Sequence, residues 1–126
     1  MRFRCDSERA NYSNPPTHGS DIVARVLTNA ELRKLWEQEL GGMRERIKAM
    51  RKALAEGIKA RIPTADWSFV LQQHGLFSYT GLTKPQVERL RTEFSIYAIE
   101  TGRICVAALN AKNIGYVADA IAKVIR

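Results

Sequence analysis

A small α/β unit led by one long helix is the fold that the sequence predicts, and three observations predict it. Leu32, Trp36, Leu40, Met43, Ile47, Met50, Leu54 and Ile58 recur at steps of three and four. Only a helix from about residue 29 to about residue 61 keeps such a stripe on one face. After Pro63 the pattern changes to short β-prone runs divided by Gly75 and Gly81. The chain then closes on a second helical pattern, with Ile114, Val117, Ala118, Ile121 and Val124 on one side. A mostly antiparallel or mixed small sheet with flanking helices follows from that order.

The elements can be justified in turn. Residues 9–19, RANYSNPPTHG, read as a loop, because two prolines and a glycine oppose a regular helix and Asn14 before Pro15 favours extended backbone. Ser20 is placed to cap a short helix, DIVARVL. Thr28 with Glu31 three positions on has the capping-box pattern for the start of the long helix. Gly41 and Gly42 inside that helix cost about 1 kcal/mol each relative to alanine and mark a bend or a close contact. Its length is far above the typical ~11–12 residues, and a helix so long connects two bodies or packs along a large partner. Residues 67–71 and 76–79 are predicted strands. Thr83 caps a helix over residues 85–94, with Pro85 near the first turn, where a missing N–H costs little. Residues 96–99 and 103–109 are two further predicted strands, and Asn110 opens the closing helix. The boundaries are 1–28 for loop and short helix, 29–61 for the long helix and 62–126 for the small α/β domain.

Composition narrows the function. With 126 residues, 45% hydrophobic and 26% charged, the chain has the balance of one ordinary globular domain. No window approaches the ~20 apolar residues of a membrane span, and MRFRCDSE lacks the apolar stretch of a signal peptide. Cys5 and Cys105 are too far apart in sequence for a zinc spacing and make no disulfide framework, so reduced thiols in the cytoplasm are expected. The net charge of +7 is concentrated in residues 44–61, where seven Arg and Lys face only Glu45 and Glu56. The basic positions flank the apolar stripe and no aromatic residue is interleaved for base stacking. The segment therefore reads as a solvated helix face rather than a nucleic-acid surface.

Catalytic candidates are few. His18 and His74 have no carboxylate or cysteine at a metal-ligand spacing and read as loop histidines, so no metal site is expected. No nucleotide, hydrolase or zinc-protease motif is present. Trp36 and the methionines of the long helix read as core or interface. Two arginines stand out by context. Arg9 precedes the rigid Asn-Pro-Pro loop, and Arg103 follows Gly102 at the entrance of an apolar run. An arginine so placed can offer a ligand carboxylate two parallel hydrogen bonds.

The segments NYSNPPTHG, GLFSYTGL and TGRICVAALN, in this order, resemble the pyridoxal-phosphate aminotransferases of the aspartate and aromatic-amino-acid group. The intervening LWEQELGGMRERIKAMR is similar to that family's long helix between its large and small domains. The resemblance covers residues 9–126 and leans toward the bacterial aromatic, or tyrosine, branch. It implies a fragment of the type I fold of pyridoxal-phosphate transferases, with residues 1–28 as the edge of the large domain and 29–61 as the interdomain helix. It also implies roles. Arg103 would hold the substrate α-carboxylate. Arg9 would reach across a homodimer to the side-chain carboxylate of a dicarboxylic substrate, with Tyr12, Ser13 and Asn14 supporting it. Phe77 would stand at the substrate-side wall of the small domain.

The family's cofactor is held as a Schiff base on a lysine in a serine-flanked loop. None of Lys34, Lys48, Lys52, Lys59, Lys84, Lys112 and Lys123 has that context, and residues 1–8 do not resemble the strand expected before Arg9. The chain therefore reads as the last third of such an enzyme behind an unrelated start. Amino-acid and 2-oxo-acid substrates are expected for the complete enzyme. This chain alone is expected to bind no cofactor and to be inactive, and neither nucleic acid nor membrane is an expected partner. The alternative is a non-catalytic interaction or dimerisation module that uses the exposed long helix.

Overall fold

The computed structural model describes residues 16–126. The chain divides into two compact units, Met1–Gly41 and Gly42–Arg126.

In the first unit, helix α1 spans His18–Thr28, and α2, Ala30–Arg61, begins directly after it. Ser20 does not cap α1. The helix starts two residues earlier, right behind Pro16, with the Thr17 carbonyl accepting the Asp21 amide at 2.9 Å and the Ser20 hydroxyl at 2.7 Å. Proline restricts its own φ and the residue before it, and neither restriction prevents a helix from beginning on its C-terminal side. Nor does Thr28 cap α2. It is still helical, and its hydroxyl donates to the Ala24 carbonyl at 2.7 Å. Asn29, extended at ψ 118°, takes the cap: its Oδ1 accepts the Leu32 amide at 3.0 Å. No residue from 16 to 41 is fully buried. Ile22, Val23, Val26 and Leu27 of α1 and Trp36 of α2 line a shallow apolar depression of about 280 Å³.

The second unit has the core. Leu54 and Ile58 are wholly buried on α2 and meet Trp67, Val70, Leu90 and Ile121 in one hydrophobic cluster. The far half of the apolar stripe is thus covered as its periodicity predicts. Helix α3, Lys84–Phe94, starts as expected, with Pro85 in the first turn and the Gln86 side chain accepting the Thr83 amide at 2.9 Å. Helix α4, Ile114–Ile125, begins after Asn113, whose side chain makes no capping bond, rather than after Asn110. The Asn110 side chain instead closes a turn, accepting the Lys112 and Asn113 amides at 2.9 and 3.1 Å. Arg61 at the end of α2 pairs with Asp119 on α4, and that guanidinium holds the Asp119 carboxyl below the usual carboxylate range.

The sheet is smaller than predicted. Strand β1, Phe77–Tyr79, pairs antiparallel with β2, Arg103–Cys105. Residues 68–72 form a 3₁₀ turn instead of a strand, because the Asp66 carboxylate accepts the Ser68 amide at 2.8 Å and bends the backbone there. Residues 96–99 do not pair as a strand either. Ser95 is left-handed at φ 52°, and the Ile96 amide turns back to the Leu90 carbonyl at 2.9 Å as the C-terminal cap of α3. Beyond Cys105 the predicted strand becomes a short 3₁₀ turn, Val106–Ala108. The opposite strand has ended there, and the Leu76 carbonyl takes the Val106 amide at 2.8 Å.

Candidate functional site

The two strands are only three residues long, yet they fix four side chains on one face. Tyr79 lies opposite Arg103 and Phe77 opposite Cys105. Alternation sends these four outward, while Ser78 and Ile104 turn toward the core. Arg103 reaches diagonally across the ladder, so that its guanidinium carbon sits 5.0 Å from the centre of the Phe77 ring. A guanidinium held over a ring can present its flat face to it and keep the N–H groups on its edge for an acceptor. Among the described residues none accepts a hydrogen bond from that edge or forms an ion pair with it.

The strand entrance is held by its neighbours. Gly102 is left-handed at φ 80°, and its carbonyl accepts both the Thr80 amide at 3.0 Å and the Thr80 hydroxyl at 2.7 Å. Thr80 is buried. Behind Arg103 and Phe77 lies a largely apolar cavity of about 230 Å³, walled by Leu90, Ile96, Ile104 and Ile121 among others. A guanidinium that lines an apolar cavity over an aromatic ring, with no side-chain partner among the described residues, can grip one planar anion. A carboxylate fits it best.

Of the other residues singled out from sequence, Arg9, Tyr12, Ser13 and Asn14 lie outside the described residues. Phe77 and Arg103 are brought together. His74 is exposed in the turn before β1. Arg51 was not foreseen. Residues 44–61 are not uniformly a solvated face, because Arg51 is only 4% exposed, and desolvation lowers its pKa from the usual guanidinium value. Its position was legible: Ile47, Arg51, Leu54 and Ile58 share the apolar stripe. Arg46, though exposed, donates to the carbonyls of Ala107 and Leu109 at 3.2 Å each.

Pyridoxal phosphate, the cofactor that the resemblance implies, requires a lysine amine aimed into its pocket. All seven lysines are exposed, and none lines the cavity behind Arg103. The described residues therefore do not form that cofactor's cradle. What they form is a small α/β scaffold with Arg103 and Phe77 together on the lining of one apolar cavity.

The comparisons assign the scaffold. Residues 6–121 match the family model of aminotransferase class I and II. The chain is 59% identical over 117 residues to an aspartate aminotransferase of Pseudomonas aeruginosa, covering 93% of this chain and 29% of the relative. It is 46% identical over 117 residues to the aromatic-amino-acid aminotransferase of Escherichia coli, covering 93% and 30%. Among solved structures it superposes, with a TM-score of 0.91 and 61% identity, on an aromatic-amino-acid aminotransferase from Burkholderia pseudomallei covalently bound to pyridoxal phosphate. That match covers 94% of this chain and 30% of the other. The chain belongs to the class I and II aminotransferase family, and its fold is a fragment of the type I fold. It spans about 30% of the length of the relatives it matches. The match from residue 6 includes part of the start that sequence reading set apart. No helix among the described residues is long and apolar enough to cross a membrane.

Proposed function

We propose that this chain supplies the small-domain, carboxylate-binding part of an aromatic or aspartate aminotransferase, which moves an amino group from an amino acid to a 2-oxo acid with pyridoxal phosphate as cofactor. Arg103, over the Phe77 ring at the apolar cavity and without a side-chain partner among the described residues, carries the reading. Its edge N–H groups bind the substrate α-carboxylate bidentately, Phe77 keeps the guanidinium plane from rotating, and the apolar wall behind them limits competition from water. Holding the carboxylate fixes the amino-acid Cα relative to whatever reacts with it, which is the orientation that transamination requires. Arg9, with Tyr12, Ser13 and Asn14, belongs to the same proposal as the group for a second carboxylate, supplied across a homodimer. The divisions 1–28, 29–61 and 62–126 are proposed as large-domain edge, interdomain helix and small domain. A cytoplasmic location is proposed too, supported by a 48% identical Dictyostelium discoideum relative that is called a cytoplasmic aspartate aminotransferase.

Two measurements test this. A charge-assisted hydrogen-bonded pair contributes about 1.5–3 kcal/mol, short of the ~4.1 kcal/mol that millimolar binding requires. Calorimetry of the isolated chain at micromolar concentration is therefore expected to show no amino-acid binding. A micromolar dissociation constant lost in Arg103→Ala would instead mean a self-sufficient site. In the second measurement, the chain is mixed with a separately expressed N-terminal portion of the Pseudomonas aeruginosa relative. Neither part alone should transaminate, the mixture should, and Arg103→Lys should raise its KM for the amino acid. A stable complex without activity, or activity in this chain alone, refutes the proposal.

A further inference from the structure

We infer that Arg51 is a positioning residue for the carboxylate site: it ties strand β1 to helix α2 and so sets the ring on which Arg103 stacks. The observation behind this is a buried cation without a buried anion. Arg51 is 4% exposed, and no carboxylate among the described residues pairs with it. Its acceptors are all neutral. Nη1 donates to the Val70 carbonyl at 3.2 Å and to the Ser78 hydroxyl, and Nη2 donates to the Gly75 carbonyl at 2.8 Å. Burying a guanidinium on these terms is a poor way to stabilise a core, since an apolar side chain of the same length would fill the space without desolvating a charge. What the arrangement does provide is geometry. One planar fork gathers the turn before β1, the 3₁₀ turn and the middle of β1 onto a single rigid group.

Ser78 is the link to the site. It is 1% exposed and stands between Phe77 and Tyr79. Strand alternation means that pinning Ser78 inward aims its two neighbours outward. One of those neighbours carries the Arg103 guanidinium over its ring at 5.0 Å, and the other is the register partner of Arg103. The three-residue strand pairs with β2 and is bracketed at Tyr79 by the Gln73 side chain, which donates to the Tyr79 carbonyl at 2.9 Å and accepts its amide at 2.8 Å. Arg51 holds the middle residue, Ser78, inward. By holding Ser78 inward between Phe77 and Tyr79, Arg51 therefore helps to set where the Arg103 fork points. Lysine cannot replace this function, because one ammonium cannot reproduce two nitrogens set at the spacing of a fork.

The inference rests on the proposed role of Arg103 only for its consequence, and the test is made without substrate so that the two can fail separately. In the isotope-labelled full chain, the Arg103 side-chain resonances should show ring-current shifts and cross-relaxation to the Phe77 ring. Arg51→Lys and Ser78→Ala are expected to lose both signatures. Ile58→Val, a buried α2 change outside the Arg51 hydrogen-bond set, should lower stability and keep them. Should Arg51→Lys not fold, Ser78→Ala decides, since it deletes a single oxygen. Retention of the Arg103–Phe77 signatures in a folded Ser78→Ala chain overturns the inference, as does their loss in Ile58→Val. Restored transaminase activity that ignores Arg103→Lys would overturn the carboxylate role and leave the Arg51 result untouched.

Discussion

Gly102→Ala should melt the second unit at a temperature well below the parent and separate Arg103 from Phe77. Two costs combine at this position. The backbone is left-handed at φ 80°, which for an L-residue with a Cβ costs about 1–2 kcal/mol. The new Cβ would also stand 2.8 Å from the Leu82 carbonyl oxygen, 3.2 Å from the Leu82 amide nitrogen and 3.3 Å from the Thr80 hydroxyl. The first two of these are backbone atoms and cannot swing aside as a side-chain tip could. Relief must come from moving the strand entrance away from Leu82, which breaks the paired Thr80 bonds to the Gly102 carbonyl and leaves buried polar atoms without partners. Gly81→Ala is the control, since φ there is 73° but nothing lies within 4 Å of an added Cβ. Each kcal/mol lowers Tm by about 4–8 °C in a unit of this size. Gly81→Ala should therefore show the backbone cost alone and Gly102→Ala distinctly more. Equal melting temperatures for the two variants, with the Arg103–Phe77 contact intact in both, would contradict the argument.

The same few residues show what could be read before any coordinates and what could not. Local chemistry was legible where one signal acted alone. Thr83 and Pro85 both point to one helix start, and α3 begins there. The stripe from Ile47 to Ile58 was legible because 3.6-residue periodicity survives any tertiary context. Signals failed where two competed over a short stretch. Residues 67–71 have strand-forming side chains, but the single Asp66 oxygen on the Ser68 amide is enough to curl them. Residues 96–99 have the same composition as a strand, and a left-handed Ser95 turns them back onto α3 before they can pair. The Arg103–Phe77 contact joins residues whose strands meet only through tertiary pairing, so neither stacking nor cavity has a linear signature. Their roles were reached through resemblance. Arg51 is the opposite case: its place on the stripe was visible, but its charge argued for solvent, and the three neutral acceptors that outweigh that argument come from distant segments.

The purified chain should self-associate, with a weight-average mass that climbs above 14.2 kDa as concentration rises. Leu32, Leu35, Trp36, Leu40 and Met43 are between 39% and 57% exposed on α2, and Ile22, Val23 and Leu27 on α1 are between 42% and 56% exposed. Full burial of each such side chain is worth about 1.5–3 kcal/mol. A single isolated side chain of this kind is ordinary on a protein surface, but a continuous stripe of them is an interaction surface. The buried core starts only at Arg51 and Leu54, and among the described residues this stretch of the helix is covered only in part. Electrostatics opposes association weakly: the +7 net charge is concentrated in residues 44–61, and its reach at physiological salt is ~8 Å. Light scattering across a concentration series should therefore show growth. The double variant Leu35→Glu with Leu40→Glu, which sets two charges into the stripe without touching the core, should return the mass to that of one chain. Slow amide exchange across residues 29–43 in a concentration-independent monomer would mean that the chain covers the stripe itself, and self-association would then have no driving force.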